Sequence, residues 1–414
     1  MTMDMKRLIY ILLAAFSLTS CLKDAKEGDF SDDSISGSIT VQIVAPEGQS
    51  VDMEGMDVVF SDASSGLTYK AVADASGKAT ARVAYGNYVA STESKIALSG
   101  GKTAIYNGST DRIKVTPDNS VISDYNLTLN YSQTSQIVIK ELYYTGCTNP
   151  ETGKNYIKDS YFILYNNSAD VAYLDSLCVG VAYPYNAPTD GKLSDWVKPG
   201  TSELRDSIPS ACMGWMFQGT GNSIPLQPGE EVVVSLNAID HTTICSTSVD
   251  LGRSNYYAMY DAANTPSQSA PNPGVNTLEC FWKTGTSRAF VISISSPAIF
   301  IYTMGGKSKE QFILDSKAVN PNSPGNRNND VLLIDKNLVV DGLECLISQS
   351  QTKRLRSEID NGFAMIKEGG GSGKSVHRKV DEEATAAAGG RIVYQDTNNS
   401  SNDFEVRDYP TLKK

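Results

Sequence analysis

Only two histidines, His241 and His377, occur in 414 residues, far apart in the chain. A three-histidine metal centre is therefore impossible within one chain. No C-x-x-C is present, which removes zinc knuckles and thioredoxin-like redox pairs. G-x-S-x-G is absent too, so a serine-hydrolase triad would have to form around one of the two isolated histidines. Positive charge is short: 36 Lys and Arg against 47 Asp and Glu give a formal charge of -11. With no basic stripe and no basic residues interleaved with aromatics, nothing is available to neutralise phosphates, and nucleic acid is excluded as a partner. The acidity serves solubility first. Long apolar runs are missing as well. The one that stands out, from Leu8, is only about a dozen residues, too short for a membrane-spanning helix.

That short run begins the list of what is present. Lys6-Arg7, the apolar stretch and the small residues before Cys21 read as a signal peptide over residues 1–20. Leu18-Thr19-Ser20-Cys21 resembles the lipobox of bacterial lipoproteins, which implies that Cys21 becomes the diacylated and N-acylated first residue of the mature chain. Each buried methylene contributes about 0.8 kcal/mol, so such a terminus holds a body to a membrane essentially permanently. Residues 21–36 are acidic and polar and read as a flexible tether. Their acidic residues resemble the export signal that carries lipoproteins of the Bacteroidota to the outer face of the outer membrane. The expected location is the outer membrane, lipid-anchored, at the cell surface.

With Cys21 committed to lipid, Cys147, Cys178, Cys212, Cys245, Cys280 and Cys345 remain. An even number in an exported chain allows three disulfides, whose pairing the spacing leaves open. Buried free thiols are the alternative, since a body of this length has core enough without staples.

Residues 37–131 form a run of short alternating segments, among them SITVQIVA, MDVVFSD, TYKAVA, KATARVAYGNYVAST, RIKVTP and YNLTLN, divided by Gly, Asp, Asn and Pro. This pattern predicts a small Greek-key β-sandwich. Asp74 to Gly77 supplies a tight turn, and Tyr88 follows a glycine turn at Gly86. The arrangement resembles the carboxypeptidase-regulatory-like, transthyretin-like domains of exported bacterial proteins, which implies structural roles for Asp74 and Tyr88.

A larger domain is expected over residues 136–414. The strand Gln136-IVIKELYYTGC-Thr148, then Ser160-YFILYNNSADVAYLDSLCVG-Gly180, then Ile224-PLQPGEEVVVSLNAIDHT resemble a lamin-tail domain, an immunoglobulin-like sandwich. In that resemblance Glu141 takes the family's first glutamate and Asn166 its asparagine, while Leu164 stands where a second glutamate is common. Asp396-Thr-Asn-Asn-Ser400-Ser-Asn-Asp403-Phe404 resembles the closing turn of bacterial lamin-tail-like modules. Taken in order, these segments resemble the uncharacterised DUF4876 lipoproteins of Bacteroides and relatives, a family with no established activity to carry over. The expected fold class is all-β: a small N-terminal sandwich followed by a larger one with long insertions and one accessory helix near Leu343–Ile359.

The insertion over residues 181–222 carries Tyr183, Tyr185, Trp196, Trp215 and Phe217. Such rings stack on sugars or bury in protein partners, or else they pack onto the sandwich and hold the insertion. The loops Asn326–Asp330 and Asp396–Asp403 are oxygen-rich enough to consider structural calcium, but neither fits an EF-hand, and Asx-turns account for both. Gly369-Gly-Gly-Ser-Gly373-Lys374-Ser375 lacks the first glycine of a phosphate loop, because Glu368 holds that place. It reads as a turn before a strand. No cofactor is implied. The chain is expected to be a non-enzymatic binding or accessory component of an envelope assembly, with an outer-membrane protein or a glycan as partner. The alternative is an extracellular hydrolase of glycan or protein, built on a carboxylate pair that sequence does not single out.

Overall fold

The computed structural model describes residues 36–46, 50–62, 64–97, 103–133, 135–189, 193, 196–198, 200–201, 203–321 and 330–413. The signal peptide, Cys21, almost all of the tether and Asn326–Asn329 lie outside the described residues. The fold is all-β, with several sheets and little helix. Among the described residues no helix is long and apolar enough to cross a membrane. The chain divides into two compact units. One takes the described residues up to Thr92 together with Ser109–Leu129; the other takes Glu93–Gly108 and the described residues from Asn130 onward.

In the first unit, the strand Ser36–Val44 alternates, so that Ile39, Val41 and Ile43 are buried on one face. It pairs antiparallel with Lys78–Ala84 and parallel with Val121–Thr128. A second sheet sets Asp57–Asp62 between Leu67–Val72 and Gly86–Ala97, with Phe60 opposite both Tyr69 and Ala90. The Asp74 turn works as its residues suggest. Its Oδ1 accepts from the amides of Ser76 and Lys78 at 2.8 and 3.0 Å, and Gly77 sits at φ 77°. Tyr88 is fully buried and donates its hydroxyl to the Ala84 carbonyl at 2.9 Å.

The second unit is built on two large sheets. One runs in the order Asn276–Thr277, Tyr257–Ala258, Glu231–Ser235, Tyr161–Asn166, Ile137–Tyr143, Ser375–Arg378, Phe404–Arg407. The other runs Glu279–Lys283, Met213–Met216, Cys178–Val181, Ala298–Tyr302, Val339–Leu346, Ala364–Met365. Ile139, Phe162, Leu164, Val234 and Val376 from the first share one core with Val179, Trp215, Ile301 and Leu343 from the second. These two sheets are a sandwich.

Tyr161–Asn166 and Ala298–Tyr302 are buried at every residue, which requires cover on both faces. The insertions provide it. Val249, Leu251 and Tyr256 close over Tyr161, Ile163 and Val233. On the other sheet, Ile208, Leu332, Ile334, Phe312, Leu355 and Ile359 pack against Phe300 and Tyr302. This outer layer includes the sheet Ser207–Ser210, Val331–Asp335, Lys317–Ala318 and the helix Lys309–Ser316, capped by Ser308. Pro209 lies in the edge strand of that sheet, where a missing N–H is tolerated.

The helix expected over Leu343–Ile359 does not form. Val339–Leu346 is a strand paired with Ala298–Tyr302, and the chain then turns irregularly. Leu343 and Cys345 point into the sandwich core, while Leu355 and Ile359 serve the outer layer, so a single helical face could not satisfy both. Gly342 permits the close approach: a Cβ there would meet Ile359 Cγ2 at 2.7 Å.

Candidate functional site

The aromatic insertion is tied down by two arginines from the turn that replaces the expected helix. Arg354 donates from Nη1 to the carbonyls of Pro184 (2.7 Å) and Tyr185 (3.0 Å), from Nη2 to Ser296 O (2.5 Å) and from Nε to Glu344 Oε1 (2.9 Å). Arg356 donates to Arg205 O at 2.6 Å, to Arg354 O at 2.8 Å and to Ser207 O. Both arginines are buried. Burial alone would push the Glu344 carboxyl up; the charges of Lys353 and Arg354 and the amides of Leu355 and Arg354 hold it below its ordinary value instead.

Trp196, Trp215 and Phe217 are 2%, 0% and 0% exposed, and Trp282 is 7% exposed. Trp215 meets Phe290 edge-on at 5.7 Å, Phe217 lies 4.9 Å from Tyr257, and Trp196 meets Tyr183 at 6.0 Å. Tyr183 and Tyr185 are half-buried. A stacking platform needs its faces in water. Of the five candidate rings, three are packed inside, two of them in the sandwich core and Trp196 against Leu193 and Val331.

Each histidine sits in a closed polar cluster. His241 Nε2 lies 2.8 Å from Asn237 O, which can only accept, so Nε2 carries the proton and Nδ1 accepts from Tyr156 OH at 2.6 Å. Both ring nitrogens are thereby used. His377 is more suggestive: Ser375 Oγ stands 2.6 Å and Glu141 Oε1 3.3 Å from its Nε2. A catalytic triad needs the serine and the acid on opposite ring nitrogens. Here both meet the same one, while Nδ1 faces Thr411 Oγ1 at 3.4 Å, and all three side chains are buried. Burial, with Arg407 and Lys140 near, lowers His377 to about 3 and keeps it neutral. Glu141 in turn accepts from Tyr161 OH at 2.8 Å and Thr411 N at 3.0 Å. The cluster holds the segment around Thr411 against the sheet.

Arg378 anchors the closing turn. Its guanidinium reaches Asp341 at 2.6 Å, Asp396 at 3.2 Å and Asp403 at 3.6 Å, all buried. Asp403 accepts from Thr397 Oγ1 (2.7 Å) and from the amides of Thr397 (2.9 Å) and Asn399 (3.2 Å). Its oxygens serve the turn itself, as the Asx-turn account requires. Asp330, from the other oxygen-rich loop, is buried near Lys317 Nζ at 3.6 Å. Among the described residues no group of three or more His, Cys, Asp or Glu could hold a metal.

The glycine segment is likewise spent on structure. The amides of Gly371 and Gly373 donate to Thr145 O and Gly146 O at 2.6 and 2.8 Å, so those N–H groups are not free to cradle phosphate. Ser375–Arg378 is the strand expected after it. Asn166 is a clamp: Nδ2 donates to Asp170 O and Leu226 O at 2.8 and 2.7 Å, and Oδ1 accepts from Ser168 N at 3.0 Å.

Cys147, Cys178, Cys212, Cys245, Cys280 and Cys345 all stand as thiols; the structure contains none of the three expected disulfides among them. Cys147 and Cys245 are in contact at 3.5 Å between sulfurs. The Glu344–Arg354 and Arg378–Asp341 pairs were missed from sequence. The usable signal was an ionisable residue inside an otherwise apolar strand, as with Glu141 in IVIKELYY and Glu344 in GLECL.

These features define an all-β sandwich protein whose buried ionic groups secure long connections. More particularly, residues 227–411 match the family described as "Protein of unknown function (DUF4876)". The chain is also similar to the crystal structure of a DUF4876 family protein from Bacteroides thetaiotaomicron VPI-5482. The identity is 22% and the TM-score 0.58, over 89% of this chain and 94% of that one. The likeness shows a shared fold. A DUF3823 family protein from Parabacteroides merdae ATCC 43184 matches 37% of this chain and 69% of its own at 11% identity, with a TM-score of 0.17. No curated protein matches the chain.

Proposed function

We propose that the chain is an exported lipoprotein, anchored through Cys21 to the outer membrane at the cell surface, whose body is a non-enzymatic binding or accessory component of an envelope assembly. In this reading the first unit is a carboxypeptidase-regulatory-like spacer and the second a lamin-tail-like module. The observation that carries it is the use of Arg354 and Arg356 to pin the connection 181–210 by its backbone carbonyls. Charged groups spent in this way fix the backbone at Pro184–Tyr185 and at Arg205–Ser207, which lowers the ordering cost of binding a partner there. The lipobox resemblance at Leu18–Cys21 supports the anchor.

A hydrolase would find its nearest constellation in Ser375, His377 and Glu141, and their burial and shared ring nitrogen argue against it. The test uses the full lipoprotein as bait in solubilised native outer membranes, beside Cys21→Ser. The expected result is outer-membrane fractionation with a stoichiometric protein or a retained glycan, and a soluble Cys21→Ser protein. Membrane fractionation of Cys21→Ser, or turnover of glycan or peptide substrates by the purified protein, would overturn the proposal.

A further inference from the structure

Resting on that export to an oxidising compartment, we infer that Cys147 and Cys245 are joined by a disulfide in the working protein and are the sole bridged pair among the six cysteines of the body. Their sulfurs lie 3.5 Å apart. A disulfide needs about 2.05 Å, so a closure of about 1.5 Å is required. The two segments that carry them are already held together around the sulfurs. Thr247 Oγ1 donates to Thr148 O at 2.8 Å, Asn149 Nδ2 to Ile244 O at 3.3 Å, and Tyr156 OH bonds His241 at 2.6 Å. The hairpin Cys147–Thr148/Asn155–Tyr156 and the stretch after the turn His241–Thr243 are thus aligned before any bond forms.

The other four cysteines have different surroundings. Cys178 stands in register with Met216 and Tyr302, Cys280 with Trp215, and Cys345 with Ala364. Cys178 Sγ and Cys280 Sγ contact the carbonyls of Ser176 and Trp282, each at 3.5 Å. Cys212 occupies a turn at φ 64°. None of these contacts is to another sulfur.

The pair is built as a staple rather than a redox centre. A working nucleophilic thiol has a depressed pKa, whereas burial pushes Cys147 up to about 12. Oxidation therefore belongs to the folding chain, while both segments are still accessible. The oxidant is a disulfide-bearing dithiol carrier. One cysteine thiolate attacks a carrier sulfur, forming a mixed disulfide and expelling the second carrier sulfur as a thiolate. The other cysteine thiolate then attacks the protein sulfur of that mixed disulfide. The carrier leaves as a dithiol holding the two electrons, and the two cysteine protons end on its sulfurs or in water. The bond closes a span of 98 residues, including the sandwich strands Tyr161–Asn166 and Glu231–Ser235.

The experiment denatures the full lipoprotein taken from envelopes in the presence of N-ethylmaleimide and without reductant, so that every free thiol is trapped as it is exposed, followed by digestion and mass spectrometry. The expected result is four alkylated body cysteines and one cross-linked peptide joining Cys147 to Cys245. Cys147→Ser and Cys245→Ser, made separately, should each expose the remaining partner as a fifth alkylated site. Six alkylated cysteines in envelope-derived protein, or a bridge between any other pair, would overturn the inference. Should the protein be recovered only from the cytosol, the export reading fails, and oxidised glutathione added during refolding of the full chain then decides the pairing. Linkage of Cys147 to Cys245 upholds the inference there, and its absence overturns it.

Discussion

Arg354 and Glu344 form an ion pair sealed from solvent, Nε to Oε1 at 2.9 Å, in which the carboxylate also accepts from the amides of Arg354 and Leu355 at 2.9 to 3.0 Å. Glu344 belongs to a central strand of the sandwich and Arg354 to the turn beyond it, and the guanidinium passes the hold on to Pro184, Tyr185 and Ser296. One pair therefore ties three separate stretches of chain. Breaking it leaves a buried carboxylate facing Lys353 Nζ at 3.4 Å without the guanidinium beside it.

Arg354→Met is expected to cost about 3 kcal/mol, because the buried carboxylate loses one counter-charge, which Lys353 offsets only in part, and the carbonyls of Pro184, Tyr185 and Ser296 lose their donor. Adding Glu344→Met should restore part of that loss. Urea unfolding of the three proteins checks this. A single variant within about 0.5 kcal/mol of wild type, the range of ordinary surface changes, would refute the pair's role.

The Arg378 cluster gives one pH dependence. Burial pushes Asp403 up to about 7 and Asp341 to about 6 despite Arg378, with Asp396 adding repulsion to both. The folded protein then binds more protons than the unfolded chain between about pH 4 and pH 7, so this cluster's contribution is fully present below the ordinary carboxyl pKa and is lost as pH rises to about 7. Asp403→Asn is expected to flatten that loss, read as the slope of unfolding free energy against pH. An unchanged slope would reject the assignment.

His377 works with the opposite sign. Held neutral in the fold at about 3, it lets the unfolded chain bind the extra proton once pH falls below about 6.5, and stability declines from there toward pH 3. His377→Gln should remove part of that acid-side decline; His241, lowered chiefly by burial, supplies another part. Acid unfolding followed by circular dichroism measures it, and a steeper decline in His377→Gln would contradict the expectation.

With Trp196, Trp215 and Trp282 all inside, native fluorescence should resist quenching by iodide, and Trp215→Ala should cost about 3–5 kcal/mol. Efficient quenching of the native protein would return these rings to the surface and reopen their use on sugars.

The all-β class was legible because period-two patterning and turn residues agree locally, as in SITVQIVA and in Asp74–Gly77. Asn166 could be marked from its Asn-Asn-Ser turn, although its reach to Leu226 O could not. The stretch 347–359 misled because a polar run with Lys353, Arg354 and Arg356 suits a helix until Glu344 is known to lie beside it. In the insertion, the rings carry no period that tells an inward face from an outward one. Their burial depends on Phe290, Tyr257 and Val331, which come from distant parts of the chain. The same holds for Ser375, His377 and Glu141, where only strand pairing across the sheet reveals the neighbourhood.

The central strand Ile137–Tyr143 finds one neighbour only in Ser375–Arg378, and Arg378 Nε bonds Ile139 O across 239 residues. During synthesis that place in the sheet must stay vacant until most of the second unit has left the ribosome. Such long-range pairing slows closure and leaves a nascent chain open for longer. Under the export we propose, the delay is an advantage: the topology itself postpones folding until after passage, and it makes a prematurely terminated product unable to complete its sheet.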